Sequence, residues 1–131
     1  MEPKAKHFRK RDAVLTCLRG TDIHPSAEWV YSQLKTDYPD ISLCTVYRNL
    51  AYFKDQGTIV SLGTVKGVER FDGNTTPHVH FICTSCGRIL DLMQLNVPEE
   101  LSDAASRYSG GRAESCQLTF TGLCGGCAKI T

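Results

Sequence analysis

Two short motifs, Cys83-Thr-Ser-Cys86 and Cys124-Gly-Gly-Cys127, constrain this chain more than anything else in it. Each Cys-x-x-Cys unit forms a tight knuckle with two thiols on one side. Two knuckles supply the four thiolates of a tetrahedral zinc site with Zn–S bonds of about 2.3 Å. The units are separated by 37 residues, so a shared ion would tie the turn of a hairpin to the C-terminal segment. Gly87 behind the first pair, and Gly125 and Gly126 inside the second, sit where such turns call for positive φ. Two disulfides, or four unrelated buried thiols, are the competing readings. The doubled spacing favours metal, and so does an odd total of seven cysteines, which does not suit a secreted disulfide framework. Cys17 falls on an apolar helical stripe and reads as core, whereas Cys44 and Cys116 receive no role.

The 131 residues, 41% of them hydrophobic, suit one compact domain or two small ones. Two halves of that size would each be marginal alone, so a metal staple and dimerisation would both help. No apolar run is long enough to cross a bilayer, and the first residues are charged rather than apolar. The expectation is a cytoplasmic protein without a secretory signal. Net charge is only +1, but eleven of the fifteen basic residues precede residue 72, and Lys4, Lys6, Arg9, Lys10 and Arg11 crowd the start. An N-terminal half that meets phosphate is one reading of that asymmetry, and a solvated charged arm is the other.

Apolar periodicity predicts a helix over Phe8–Leu18, with Ala13, Val14, Cys17 and Leu18 on one stripe and Gly20 ending it. A second helix starts at Pro25-Ser26 and carries Ala27, Val30, Tyr31 and Leu34. A third opens on the N-cap Ser42 and runs Leu43–Gln56, with Val46, Leu50 and Phe53 inward and Gly57 as its stop. The period then changes to two. Thr58–Val65 and Val68–Asp72 flank the turn Lys66-Gly67 as a hairpin. Three helices and a two-stranded wing make the winged-helix layout, in which the third helix enters the DNA major groove. A helical interaction module is the alternative. A polar linker, residues 74–77, separates this region (1–73) from a second one (78–131). The second region reads as strand His78–Ile82, first knuckle, strand Arg88–Met93, helix Pro98–Tyr108, strand Ser115–Thr121 and second knuckle. The fold class is α+β.

His78-Val-His80 places two imidazoles on one face of a strand. With symmetric pairing about the knuckle, Asp91 falls opposite His78. A nitrogen and oxygen donor set of this kind suits Fe(II), Mn(II) or another borderline ion, whereas the sulfur set suits zinc. Two exposed strand histidines with no metal are nearly as good a reading of that spacing alone. His24 and Asp72 read, by position, as a helix-entry histidine and a hairpin-end carboxylate.

Four segments occur in order: His24-Pro25-Ser26-Ala27, Thr45-Val46-Tyr47-Arg48-Asn49-Leu50, Arg70-Phe71-Asp72, and His78-Val79-His80-Phe81-Ile82-Cys83-Thr84-Ser85-Cys86-Gly87. Together they resemble the ferric uptake regulator family of metal-dependent bacterial repressors, from about Phe8 to Cys127. The resemblance implies a homodimer, each chain with an N-terminal winged helix and a C-terminal dimerisation domain. It implies Cys83, Cys86, Cys124 and Cys127 as ligands of a structural zinc. It implies His24, Asp72, His78, His80 and Asp91 as ligands of a regulatory Fe(II) or Mn(II). Asp91, where the iron-uptake branch typically has Glu, together with Asp72, resembles the peroxide-responsive branch. In that branch iron-dependent oxidation of His24 or His78 releases DNA. An iron, manganese or zinc sensor without peroxide response is the nearest alternative.

On the third helix, Ser42, Thr45, Tyr47, Arg48 and Asn49 are candidates to face DNA. Arg48 suits guanine or phosphate, Asn49 suits adenine, and Tyr47 suits backbone or a thymine methyl. Lys54, Lys66 and Arg70 are candidates for phosphate. Two rivals stand apart from a regulator. A zinc-ribbon interaction module would hold one zinc and bind no DNA. A metal-dependent hydrolase or oxygenase would need a base, nucleophile or organic cofactor that no motif near the histidines supplies. The expectation is therefore a non-enzyme without organic cofactor or membrane partner.

Overall fold

The computed structural model describes residues 3–76 and 78–129, with side chains from residue 10 onward. The chain divides into two compact units, Met1–Thr75 and Thr76–Thr131. Pro77, the last residue of the linker assigned above, lies outside the described residues.

The first unit is α1 (Pro3–Arg19), α2 (Ala27–Leu34), α3 (Leu43–Asp55), β1 (Val60–Val65) and β2 (Val68–Asp72). The first helix begins five residues before the expected start at Phe8, because nothing in Pro3–His7 breaks a helix except a proline at its first position, where proline is tolerated. The basic run is thus the first turns of α1 rather than a detached arm. Lys10 pairs with Asp40 at 3.2 Å, and the Arg11 guanidinium lies 4.1 Å from the centre of the Tyr52 ring on α3. The other basic side chains of the run lie outside the described residues. Ser26 caps α2 by accepting from Trp29 N at 3.2 Å, and Ser42 caps α3 by accepting from Thr45 N at 3.1 Å. Each helix puts one stripe inward: Val14 and Leu18, then Ala27, Val30 and Leu34, then Val46, Leu50 and Phe53. Ile41, Ile59 and Phe71 complete this core. Full burial of each such aliphatic or aromatic side chain contributes roughly 1.5–3 kcal/mol. Cys17 is half-buried against this core, and burial raises its thiol pKa.

The hairpin turns on Lys66 (φ 53°) and Gly67 (φ 82°), a two-residue loop of the type that matches strand twist. Its register pairs Val65 with Val68 and Val60 with Asp72, with an irregularity between Ser61 and Thr64. Phe71 N donates to Pro25 O at 3.0 Å, which fastens β2 to the loop before α2.

The second unit is β3 (Val79–Cys83), β4 (Ile89–Leu92), α4 (Glu99–Ser109), β5 (Leu118–Gly122) and a short α5 (Gly125–Ala128). The sheet order is β4-β3-β5, antiparallel on one side of β3 and parallel on the other, with α4 as the crossover. Two expectations need correction. Asp91 pairs with His80, not His78. Cys83 N donates to Arg88 O at 2.8 Å, and Gly87 adopts φ 79°, so the loop centres between Ser85 and Cys86. Gly125 and Gly126 do not have positive φ. They form the first turn of α5, which begins directly behind Cys124.

Gly73 packs tightly in the first unit, where an added Cβ would lie 2.9 Å from Arg19 Cγ and 3.2 Å from Arg19 Cα. Gly73→Ala should therefore lower stability by about 1–3 kcal/mol through overpacking. Gly111→Ala, whose Cβ would meet nothing closer than Ser109 Oγ at 3.7 Å, should stay within about 0.5 kcal/mol of the parent. Urea unfolding of both variants tests the contrast.

Candidate metal centres

The four knuckle cysteines meet in the second unit. Their sulfurs all lie within 4.8 Å of one another. Hydrogen bonds explain why. Thr84 N and Thr84 Oγ1 both donate to Gly122 O, at 2.8 and 3.2 Å, so the first knuckle is fastened to the end of β5, two residues before Cys124. Cys86 N donates to Cys83 Sγ at 3.5 Å, the amide-to-sulfur contact of a knuckle. Cys86 Sγ and Cys124 Sγ are 3.9 Å apart. Sulfurs around a tetrahedral ion with bonds of about 2.3 Å would be about 3.8 Å apart, so the cluster fits such an ion. The disulfide reading does not fit, because all seven cysteines are free.

The sulfurs share protons unequally. Backbone donation from Cys86, and then from Cys124, pulls the Cys83 thiol down to about 6. For Cys127 the Ser85 side chain acts to lower the pKa, but hydrogen bonding to Cys124 and Cys83 outweighs it and pushes the thiol up to about 12. One sulfur is thus readily a thiolate at neutral pH, while another holds its proton until an ion displaces it.

Nitrogen and oxygen donors gather in each unit. In the second unit His78 Nε2 lies 3.0 Å and His80 Nε2 3.3 Å from the same atom, Asp91 Oδ1. The two rings are 4.2 Å apart. Alternation along β3 puts both rings on one face, and the register places Asp91 beside His80. His78 Nδ1 lies 2.6 Å from Thr76 O. That contact assigns the ring proton to Nδ1 and leaves Nε2 as the donor to a metal. Both histidines are buried. Thr76 carried no sequence signal for this role.

In the first unit His24 Nε2 lies 3.5 Å from Asp72 Oδ2, and both residues are buried. His24 is only 2% exposed and has φ 57°. A buried non-glycine residue in the left-handed region is uncommon and needs partners to hold it there. Arg70 holds that conformation: its Nε donates to His24 O and its Nη2 donates to Ile23 O at 2.7 Å. Burial lowers the Arg70 pKa. Asp72 Oδ1 accepts from Asn74 N at 2.9 Å. Arg70, expected at phosphate, thus commits Nε and Nη2 to the carbonyls that shape the His24 loop and remains half-exposed.

The other DNA candidates divide by burial. Tyr47 and Arg48 are exposed on α3, Ser42 is exposed at its cap and Thr45 is half-exposed. The Ser42 hydroxyl is engaged with Thr45 N and Oγ1. Asn49 is 3% exposed and lies on the core stripe with Val46, Leu50 and Phe53, so the expectation that it faces a base is corrected. Lys54 pairs with Glu69 at 3.6 Å, and Lys66 is exposed at the hairpin tip.

Zinc added to the metal-free chain should release protons in weakly buffered solution. Protons compete for the same sulfurs, so affinity should fall as pH falls, by about tenfold per displaced proton for each pH unit. Calorimetry in buffers of different ionisation enthalpy reads both. Binding without proton release would contradict a thiolate site.

Comparison with known proteins gives the chain a family. The model of the Ferric uptake regulator family matches residues 3–121. The "Peroxide-responsive repressor PerR" of Staphylococcus aureus (strain USA300) is 42% identical over 95 residues, covering 71% of this chain and 64% of that protein. The match thus spans a little under two thirds of that relative's length. The crystal structure of the Campylobacter jejuni peroxide stress regulator superposes with a TM-score of 0.80 at 28% identity, covering 97% of this chain and 100% of that one. The iron-containing ferric uptake regulator of Francisella tularensis superposes with a TM-score of 0.72 at 25% identity, covering 90% of each. Two knuckles, the paired strand histidines and a family match over nearly the whole chain agree, and this chain belongs to the ferric uptake regulator family.

Proposed function

We propose that this chain is a metal-dependent, DNA-binding transcriptional repressor that responds to hydrogen peroxide. The observation that carries the reading is the convergence of His78 Nε2 and His80 Nε2 on Asp91 Oδ1 in a member of this family. The 42% identity to a peroxide-responsive repressor supports the branch. So does Asp, rather than Glu, at position 91.

Cys83, Cys86, Cys124 and Cys127 are the ligands we assign to a structural zinc. His24, Asp72, His78, His80 and Asp91 are those we assign to a regulatory Fe(II) or Mn(II). Assigning both donor groups to one ion rests on the family's arrangement and on donor chemistry. Neither a His–Asp pair nor a His–His–Asp set alone fills the sphere of a six-coordinate ion, and imidazole with carboxylate suits Fe(II) and Mn(II). When held by these residues, Fe(II) would supply the reducing electrons for hydrogen peroxide, and the ligand rings would be the nearest groups to oxidise. His24 and His78 are the rings we assign to record it, since an oxidised imidazole is a poorer donor. The chain is a regulator rather than an enzyme, because the residue it alters is its own. The cysteines are poor sensors, because thiolates closed around zinc react slowly.

Residues 1–73 are the proposed winged-helix DNA-binding domain, with 74–77 as hinge and 78–131 as dimerisation domain. Tyr47 and Arg48, exposed on α3, are the proposed base-reading pair, and Lys66 at the hairpin tip a phosphate contact. The second unit supports a homodimer. No residue of α4 is buried, Leu101 and Tyr108 are exposed on it, and β5 is an edge strand with Phe120 exposed. A second copy would cover these groups. Among the described residues no helix is long and apolar enough to cross a membrane. A cytoplasmic location is the reading we adopt.

The test uses duplex DNA selected from a random library by the metal-loaded chain, with binding followed by anisotropy under anaerobic conditions. Peroxide should release DNA from the Fe(II) form and leave the Mn(II) form bound. Asp91→Glu should keep metal-dependent binding and lose most of the peroxide response. Binding that survives peroxide in both metal forms would leave an iron, manganese or zinc sensor instead.

A further inference from the structure

The outward face of α3 follows helical spacing: Cys44, Tyr47, Arg48 and Ala51 are exposed, opposite the buried stripe of Val46, Asn49, Leu50 and Phe53. Arg48 is the one charged side chain of those four, and Tyr47 is the one aromatic. Tyr47 is 47% exposed. A tyrosine so exposed ordinarily changes rotamer freely on the picosecond-to-nanosecond scale. Here its hydroxyl donates to Glu28 Oε1, on the neighbouring helix.

The acceptor is well founded. Glu28 sits in the first turn of α2, where the helix dipole favours a carboxylate. Ala27 and Val30, on either side of it, are buried in the same core as Val46 and Leu50 of α3. The Tyr47 pKa is raised, chiefly by its hydrogen bond to Glu28, so the phenol stays a neutral donor. A carboxylate beside a helix that meets DNA also has a cost. It repels phosphate whatever the base sequence. Affinity sacrificed uniformly while one contact is held in place is a route to discrimination.

We infer that Glu28 is a positioning residue for DNA reading, holding the Tyr47 ring in the pose that meets a base edge. The inference rests on the DNA-binding reading above. Ordering the ring before binding removes a penalty otherwise met on association, and it does so only for the sequence that the posed ring fits.

The experiment compares dissociation constants for a duplex selected by the metal-loaded wild-type chain and for a scrambled duplex of equal length. The proteins are wild type, Glu28→Gln, Glu28→Ala, Tyr47→Phe and the Glu28→Ala/Tyr47→Phe double variant. Glu28→Gln should tighten both duplexes, because the charge is gone, and keep their ratio, because an amide oxygen still accepts from the phenol. Glu28→Ala and Tyr47→Phe should each lower the ratio about two- to tenfold. The double variant should lower it no further than either single change. A ratio left at its wild-type value in both Glu28→Ala and Tyr47→Phe would overturn the inference and leave Glu28 a repelling charge only. Wild-type protein that selects no sequence would overturn the DNA-binding reading itself, before any variant is compared. Should Glu28→Ala fail to fold, Glu28→Ser takes its place, since its hydroxyl is too short to reach the phenol: a lowered ratio supports the inference and an unchanged one overturns it.

Discussion

The four-sulfur cluster is the constraint on which the second unit depends. Among the described residues after Thr76, the buried hydrophobic ones are Val79, Cys83, Ile89 and Cys124, and two of those four are knuckle cysteines. The first unit has a continuous core built from all three helices and the hairpin. The second has a three-stranded sheet and a helix with no buried residue. So little apolar burial does not offset the chain entropy of ordering such a unit, and small folds of this kind need a metal, a partner or both. The sulfur cluster stands at one end of β3. The two histidines stand at the other, and the β3–β4 register that sets His80 beside Asp91 is closed by the knuckle itself. The knuckle therefore fixes the register that brings His80 and Asp91 together within this unit.

The two donor sets divide the chemistry by ligand type. Thiolates favour zinc, which has no redox chemistry of its own. Imidazole and carboxylate favour ions that do. In the first unit local strain is stored at His24, whose left-handed backbone is held by Arg70 through the carbonyls of Ile23 and His24. The strain is affordable because the loop is also pinned through Pro25 O and Phe71 N. On the proposed function, losing one imidazole donor would weaken the regulatory ion while leaving the sulfur cluster and the apolar core untouched.

Much of this was legible before the structure. Helix caps at Ser26 and Ser42, the inward stripes of α2 and α3 and the Lys66-Gly67 turn are local signals, and local signals survive into the fold. The doubled Cys-x-x-Cys could be read because its spacing is tied to one geometry. The corrections come from strand pairing and from side-chain chemistry weighed ahead of helical spacing. Symmetry about the Cys83–Cys86 knuckle would set Asp91 against His78, whereas the loop, with left-handed Gly87, centres one residue later. Asn49 looked like an adenine reader from its chemistry, but helical spacing puts it on the core stripe. The two carbonyls that Arg70 holds carry no sequence signal, because they lie more than forty positions away. Thr76 and Glu28 had no signal at all, since each acts through one atom brought near by folding.

On the proposed function the nitrogen and oxygen donors, and not the sulfurs, receive the oxidant. Peptide mass spectrometry tests it most directly, on Fe(II)-loaded and Mn(II)-loaded protein given the same brief anaerobic peroxide exposure. The proposed function requires an added oxygen on the peptide carrying His24 or His78 in the Fe(II) sample alone, with Cys83, Cys86, Cys124 and Cys127 unchanged. Oxidation confined to those cysteines, or equal in the two metal forms, would contradict it.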